Sequence, residues 1–147
     1  LDLLEGEVRA RHCVLEREGD LAAPAFVRLD VESLKQVCVN LVLNALEASP
    51  EGGRVRVALE RRGGHATLAV RDDGPGMPAE IVRRLGEPFF TTKAMGTGLG
   101  LFLSRRLVES AGGRLAVESA PGQGTRVSAS FRTAAQPRAS TGTPSAG

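Results

Sequence analysis

Two asparagines, Asn40 and Asn44, stand four residues apart inside the run Val31 to Ala48, whose apolar residues recur at helical spacing. On a helix of 3.6 residues per turn, Gln36, Asn40, Asn44 and Glu47 share an arc of about 80°. Leu34, Val37, Cys38, Leu41, Val42, Ala45 and Leu46 fill most of the remaining circumference, so the helix should be buried with its polar stripe facing water or a polar partner. A solvated stripe usually carries Lys, Arg and Glu, which form helices better than Asn. Carboxamides at i and i+4 instead offer oxygens to a metal ion and N–H donors to phosphate. A second candidate is Asp72 in "VRDDGPG", where Gly74, Pro75 and Gly76 force a sharp turn directly after a strand. A carboxylate there can accept a charge-assisted hydrogen bond from the amino group of a flat ligand, a bond worth roughly 1.5–3 kcal/mol. An ordinary Asp-Gly turn fits the same residues. The third candidate is "TTKAMGTGLGLFLSRR", residues 91 to 106, in which Lys93 and alternating glycines lead into an apolar helical segment. Such a loop lets backbone N–H groups converge on phosphate at a helix start, and a mobile connector would have the same composition.

The elements that must hold these residues follow from periodicity and punctuation. "CVLEREG" (Cys13 to Gly19) alternates as a half-buried strand, and "FVRLD" (Phe26 to Asp30) reads as a second short strand after Pro24. The Val31–Ala48 helix stops at "SPEGG". Arg54 to Arg62, Gly63–Gly64 and His65 to Asp72 form a hairpin around a two-glycine turn. Pro78 starts a short helix over Ala79 to Leu85, and a longer one runs from about Leu99 to Ala111 before Gly112–Gly113. Arg114 to Ala120, a "PGQG" turn and Thr125 to Phe131 make a second hairpin. Antiparallel strands interrupted by helices predict an α+β fold, a two-layer α/β sandwich with a mixed, mainly antiparallel sheet covered by helices on one face.

At 147 residues the chain fits one domain with a real core. A net charge of +2 and only 3% aromatics, with no Trp or Tyr, speak against a nucleic-acid surface. No apolar stretch approaches the ~18–20 residues of a membrane span, and no signal peptide opens the sequence. Cys13 and Cys38 sit in apolar company and read as buried free thiols, which suits a reducing cytosol, with a disulfide the competing reading. Two Cys and two His without ligand spacing speak against a zinc site.

"NLVLNALEA" (Asn40 to Ala48), "DDGPG" (Asp72 to Gly76), "EPFFTTK" (Glu87 to Lys93) and "GTGLGL" (Gly96 to Leu101) occur in that order. Together they resemble the asparagine, first glycine, phenylalanine and second glycine boxes of the GHKL ATP-binding (Bergerat) fold, as found in bacterial sensor histidine kinases. "GQGT" (Gly122 to Thr125) is similar to a further glycine-rich box. The resemblance spans roughly residues 10 to 132, and it implies ATP or ADP with Mg²⁺ as ligands. By it, Asp72 would hold the adenine amino group, with Gly74 and Gly76 shaping the base pocket and Thr125 near it. Asn44 would ligate Mg²⁺ and Asn40 would hydrogen-bond a phosphate oxygen, which makes these two the catalytic candidates. Gly96, Thr97, Gly98, Leu99, Gly100 and Leu101 would form the phosphate cradle, with Lys93 a further phosphate contact. Phe89 and Phe90 would anchor a mobile lid, and core packing is the competing role for both.

The loop lacks the GxxxxGK[ST] order of a P-loop and the GxGxxG spacing of dinucleotide folds. Hydrolytic branches of the superfamily place Glu where this chain has Asn40, and Asn cannot act as a base, so a kinase is expected over an ATPase. Glu47 as a base is the competing assignment, beside a supporting or surface role. "NALEA" departs from the common "NAxKF", and with "EPFFTTK" it resembles the nitrogen-regulation subgroup. His12 precedes a strand and His65 follows a hairpin turn, so neither resembles the phosphoacceptor histidine of these kinases. The resemblance therefore implies a catalytic unit over residues 12–132. Residues 1–11 would end a helix from a dimerisation domain, and 133–147 would be a disordered tail. The implied partners are the histidine-bearing dimerisation domain of the same kinase and a response regulator receiver domain. The fragment would be monomeric, cytoplasmic and free of membrane and nucleic-acid contact, whereas the full-length protein would be a homodimer, with membrane anchoring open. A nucleotide-gated interaction module, or an ATPase of the same superfamily, is the alternative.

Overall fold

The computed structural model describes residues 14–19, 30–85, 87 and 99–133. In chain order the elements are β1 (Val14–Gly19), α1 (Val31–Ala48), β2 (Arg54–Arg62), β3 (His65–Asp72), α2 (Ala79–Val82), α3 (Leu99–Ser110), β4 (Arg114–Ser119) and β5 (Thr125–Arg132). The strands form one five-stranded sheet in the order β1-β2-β3-β5-β4. Among the described residues the β1–β2 pairing is parallel and the other three are antiparallel.

Strand alternation explains why one face of this sheet becomes the core. Val57, Val70, Val127 and Val117 stand opposite one another across β2, β3, β5 and β4, so four β-branched side chains share one cross-strand row. Val55, Leu115, Ala129 and Phe131 extend that face, and α1 and α3 cover it with Val37, Leu41, Val42, Leu46, Leu101 and Val108. Leu41 and Leu46 are essentially inaccessible to water, and burial of such a side chain contributes about 1.5–3 kcal/mol. The two-layer α+β arrangement and the mainly antiparallel sheet agree with the fold expected from the sequence.

The helix termini account for the boundaries. Asp30, expected to end a strand, is instead the N-cap of α1: its backbone is extended (φ −68°, ψ 160°) and its side chain accepts from the Ser33 N–H at 2.8 Å. That N–H would otherwise lack a partner, and it holds the Asp30 carboxyl below its ordinary value. The rest of the Phe26–Asp30 strand lies outside the described residues. Helix α2 stops at Val82 and not at Leu85, because Arg84 and Leu85 donate three residues back, to Ile81 and Val82, in a tighter turn. Helix α3 ends where Gly112 takes φ +79° and the Gly113 N–H reaches back to the Val108 carbonyl at 2.9 Å. Cys38 carries a free, half-buried thiol whose pKa burial pushes up, which matches an inert packing role. The predicted first helix, Cys13, His12 and the tail fall outside the described residues, as does the stretch from Pro88 to Gly98.

Candidate nucleotide site

On β3, β5 and β4 the core face ends in polar residues. One row beyond the valines, Val55, Asp72, Thr125 and Ser119 stand opposite one another across the same four strands. Asp72 therefore points its carboxylate to the helix side of the sheet and is only 4% exposed. Its Oδ1 accepts from the Gly74 N–H at 2.8 Å. Burial raises the Asp72 pKa, and the Gly74 and Thr125 backbone N–H groups oppose that shift without cancelling it. A buried carboxylate at a strand end, held by the Gly74 N–H, can accept a hydrogen bond from a ligand amino group.

The turn after Asp72 is shaped by protein backbone. A Cβ on Gly74 would lie 2.5 Å from the Ala48 carbonyl oxygen and 2.9 Å from Asp72 Oδ1. Gly76 has φ +73° and its Cβ would overlap the Ala120 carbonyl, while Gly124 at φ +71° has the Asp72 carbonyl in the same place. The Gly122 N–H donates to the Pro75 carbonyl at 2.6 Å, so the "PGQG" turn is stitched onto "DDGPG". From the sequence, Gly74 and Gly76 are expected to force a sharp turn and, by the family resemblance, to shape a base pocket. What requires glycine here is the close approach of α1 and the β4–β5 turn. Ser119, which the sequence reading missed, completes the join. Its Oγ accepts from the Met77 N–H at 2.9 Å, donates to the Gly124 carbonyl at 2.8 Å and lies 2.9 Å from Thr125 Oγ1.

Because Gly74 abuts Ala48 at the end of α1, the polar ridge of that helix runs away from Asp72. With a rise of ~1.5 Å per residue, Asn44 and Asn40 lie about 6 and 12 Å back along the axis from Ala48. Both are half-buried and face the first turn of α3. Asn40 Nδ2 donates to Ser104 Oγ at 3.2 Å and, more weakly, to the Gly100 carbonyl at 3.4 Å, while its Oδ1 accepts from Gln36 Nε2 at 3.0 Å. A Cβ on Gly100 would lie 3.8 Å from Asn40 Cγ and 4.0 Å from the Oδ1 atoms of both Asn40 and Asn44, ordinary contact distances. The ridge inferred from the sequence thus meets a glycine at a helix N-terminus, where backbone N–H groups and the helix dipole favour an anion. Leu101 is 4% exposed and belongs to the core, so only its backbone can face a ligand. Leu99 opens α3. Glu47 is half-buried on the same ridge. Lys93, Gly96, Thr97, Gly98, Phe89 and Phe90 lie outside the described residues. Among the described residues no group of three or more His, Cys, Asp or Glu could hold a metal.

A family model described as "Histidine kinase-, DNA gyrase B-, and HSP90-like ATPase" matches residues 29–135. The chain belongs to this family. Sporulation kinase C of Bacillus subtilis (strain 168) is 36% identical over 123 residues, covering 84% of this chain and 29% of that protein. The chain therefore spans less than a third of that relative. The catalytic domain of histidine kinase ThkA, in a nucleotide-free form, matches with a TM-score of 0.79 at 31% identity, over 97% of this chain and 89% of that one. ThkA has also been solved in complex with a response regulator protein, TrrA. Full-length ShkA in complex with AMPPNP matches with a TM-score of 0.78 at 28% identity, over 92% of this chain and 29% of that one. Membership in this family of ATPase-like domains implies ATP binding, and the α+β sandwich is that of histidine kinase catalytic domains. Among the described residues no helix is long and apolar enough to cross a membrane.

Proposed function

We propose that this chain is the ATP-binding catalytic domain of a sensor histidine kinase. It would pass the γ-phosphoryl of ATP to a histidine on a helical dimerisation domain of the same protein, for relay to a response regulator. The observation that carries this reading is the placement of Asp72 at one end of the α1 ridge and of Asn40, Asn44 and Gly100 at the other. One end is chemically suited to a base bearing an amino group and the other to phosphates. In this reading Asp72 accepts from the adenine amino group, and Thr125, its cross-strand neighbour, borders the base. Asn40 donates Nδ2 to a phosphate oxygen, and the first turn of α3 supplies N–H groups, joined by Gly96, Thr97, Gly98 and Lys93.

Magnesium fits the donors present. The ion keeps several waters and takes its remaining ligands from phosphates and one or two protein oxygens. The Asn44 carboxamide oxygen, beside Gly100, is such a ligand. When bound, the ion would neutralise charge on the phosphate oxygens. The protein's own share is then positioning, since neither asparagine can act as a base and Asn40 Oδ1 is already engaged by Gln36. That favours phosphoryl transfer over hydrolysis. The catalytic unit of this proposal is residues 12–132, in a cytoplasmic setting, with the acceptor histidine outside it.

The test is transfer in trans. Labelled ATP, Mg²⁺ and a purified histidine-bearing helical domain should place label on that domain only when the chain is added, and the chain alone should retain none. Stable label on the chain itself, or steady phosphate release without transfer, would overturn the assignment.

A further inference from the structure

Ser104 lies on α3 four residues after Gly100, on the same helix face. It is fully buried, yet it is a hydroxyl at a position flanked by the core residues Leu101 and Val108. Alanine would pack there without leaving a polar group to satisfy, so the hydroxyl needs a reason beyond packing. Its partner is Asn40 Nδ2, at 3.2 Å. We propose that Ser104 is a positioning residue for Asn40, holding one Nδ2 hydrogen so that the other is presented to phosphate at the first turn of α3. This rests on the nucleotide-site reading above and adds to it a residue that none of the glycine or asparagine motifs contains.

The Gly100 carbonyl can only accept, so it sets the Asn40 amide with Nδ2 toward α3, and the Gln36 amide, which can turn to match, donates Nε2 to Oδ1. A flipped Asn40 amide would set two acceptors against each other at Gly100. Of the two Nδ2 bonds, the one to Gly100 is the longer, at 3.4 Å. It is also the one a phosphate oxygen arriving over the first turn of α3 can replace. Ser104 keeps its bond through that exchange. Without it, once phosphate has displaced Gly100, only the exposed Gln36 still holds the Asn40 amide, and the donor is less firmly aimed.

The test compares the affinity of a non-hydrolysable ATP analogue with Mg²⁺ to that of adenosine, which has no phosphates. The proteins are wild type, Ser104→Ala, Ser104→Cys, Asn40→Ala and the Ser104→Ala/Asn40→Ala double variant. Ser104→Ala should weaken the analogue about five- to tenfold, the size of one lost hydrogen bond, and leave adenosine affinity unchanged. In the Asn40→Ala background the same substitution should change analogue affinity less than about twofold, because the two residues act as one unit. Ser104→Cys, which retains volume and a weak acceptor, should fall between wild type and Ser104→Ala, and it gives the answer if the alanine variant does not fold. A loss shared equally by analogue and adenosine, or one undiminished in the Asn40→Ala background, would overturn the role of Ser104. Asp72→Asn separates the two claims. If Asp72→Asn abolishes adenosine binding while Ser104→Ala leaves the analogue untouched, the site stands and the Ser104 role fails. If wild type binds neither ligand, both fail.

Discussion

Replacing Gly124 with alanine sets one backbone contact against the whole Asp72 end of the site. Gly124 has φ +71°, and a Cβ there would overlap the Asp72 carbonyl oxygen. The conformational cost alone is about 1–2 kcal/mol for an L-residue in the left-handed region. Relief of the overlap must then come from parting β3 and β5 at the Asp72–Thr125 pair, because neither a Cβ nor the Asp72 carbonyl can swing away by a rotamer change. A total of about 3 kcal/mol or more is expected, more than most single substitutions cost. Gly63 supplies the internal control: it is also left-handed, at φ +54°, but nothing lies within 4 Å of its Cβ position. Gly63→Ala should therefore cost only the conformational part, reduced by the lower entropy of its unfolded chain, or about 1 kcal/mol net. At about 4 °C per kcal/mol for a domain of this size, calorimetry should show Tm lowered by about 12 °C for Gly124→Ala and about 4 °C for Gly63→Ala. Equal shifts in the two variants would refute the claim that the β4–β5 turn is locked onto Asp72.

Other expectations follow from single contacts. Gly100→Ala meets only ordinary contacts and removes a glycine from a helix, so Tm should hold or rise, by about 0.5–1 kcal/mol in stability, while affinity for the ATP analogue falls; a drop in both would show that Gly100 serves the fold. Leu46→Ala, at a fully buried position, should cost about 2–5 kcal/mol and be visible as a lowered denaturant midpoint. Asp72 accepts most strongly from adenine when ionised, and burial raises its pKa. Adenosine affinity should therefore fall on acidification at a higher pH than an ordinary Asp would give, whereas Asp72→Asn should show weak binding and no such titration. The same shift has a sign for stability: the folded state binds the proton more tightly than the unfolded one. Asp72 therefore opposes folding increasingly as pH rises from the unfolded to the folded pKa, and by a constant amount above it.

Much of the fold was legible because its local signals agree. The Val31–Ala48 helix and the His65–Asp72 strand have the limits their periodicity predicts, and Gly63–Gly64 closes the β2–β3 hairpin as its sequence demands. Asp30 was misread because "FVRLD" has strand composition, while its capping role depends on Ser33 three residues on, a local signal that was there to use. The candidate residues were legible too, as residue types in unusual places: two asparagines on an apolar helix and a carboxylate before two glycines. What could not be read was which groups meet. Ser119 sits in a plain alternating strand, and only the register of β4 with β5 sets it opposite Thr125. Ser104 looks like any polar residue of a surface helix until α3 packs on α1 and buries it against Asn40. The glycines near Asp72 were legible as a turn, but not the crowding that demands them, since it comes from Ala48, Ala120 and Gly124, all distant in sequence.

The central claim is that Asp72 and Asn44 hold opposite ends of one nucleotide. Calorimetric titration of wild type, Asp72→Asn and Asn44→Ala with an ATP analogue, with and without Mg²⁺, tests it directly. Wild type should bind, Asp72→Asn should lose about tenfold or more with or without the ion, and Asn44→Ala should lose affinity chiefly when Mg²⁺ is present. Unchanged binding in both variants would contradict the account.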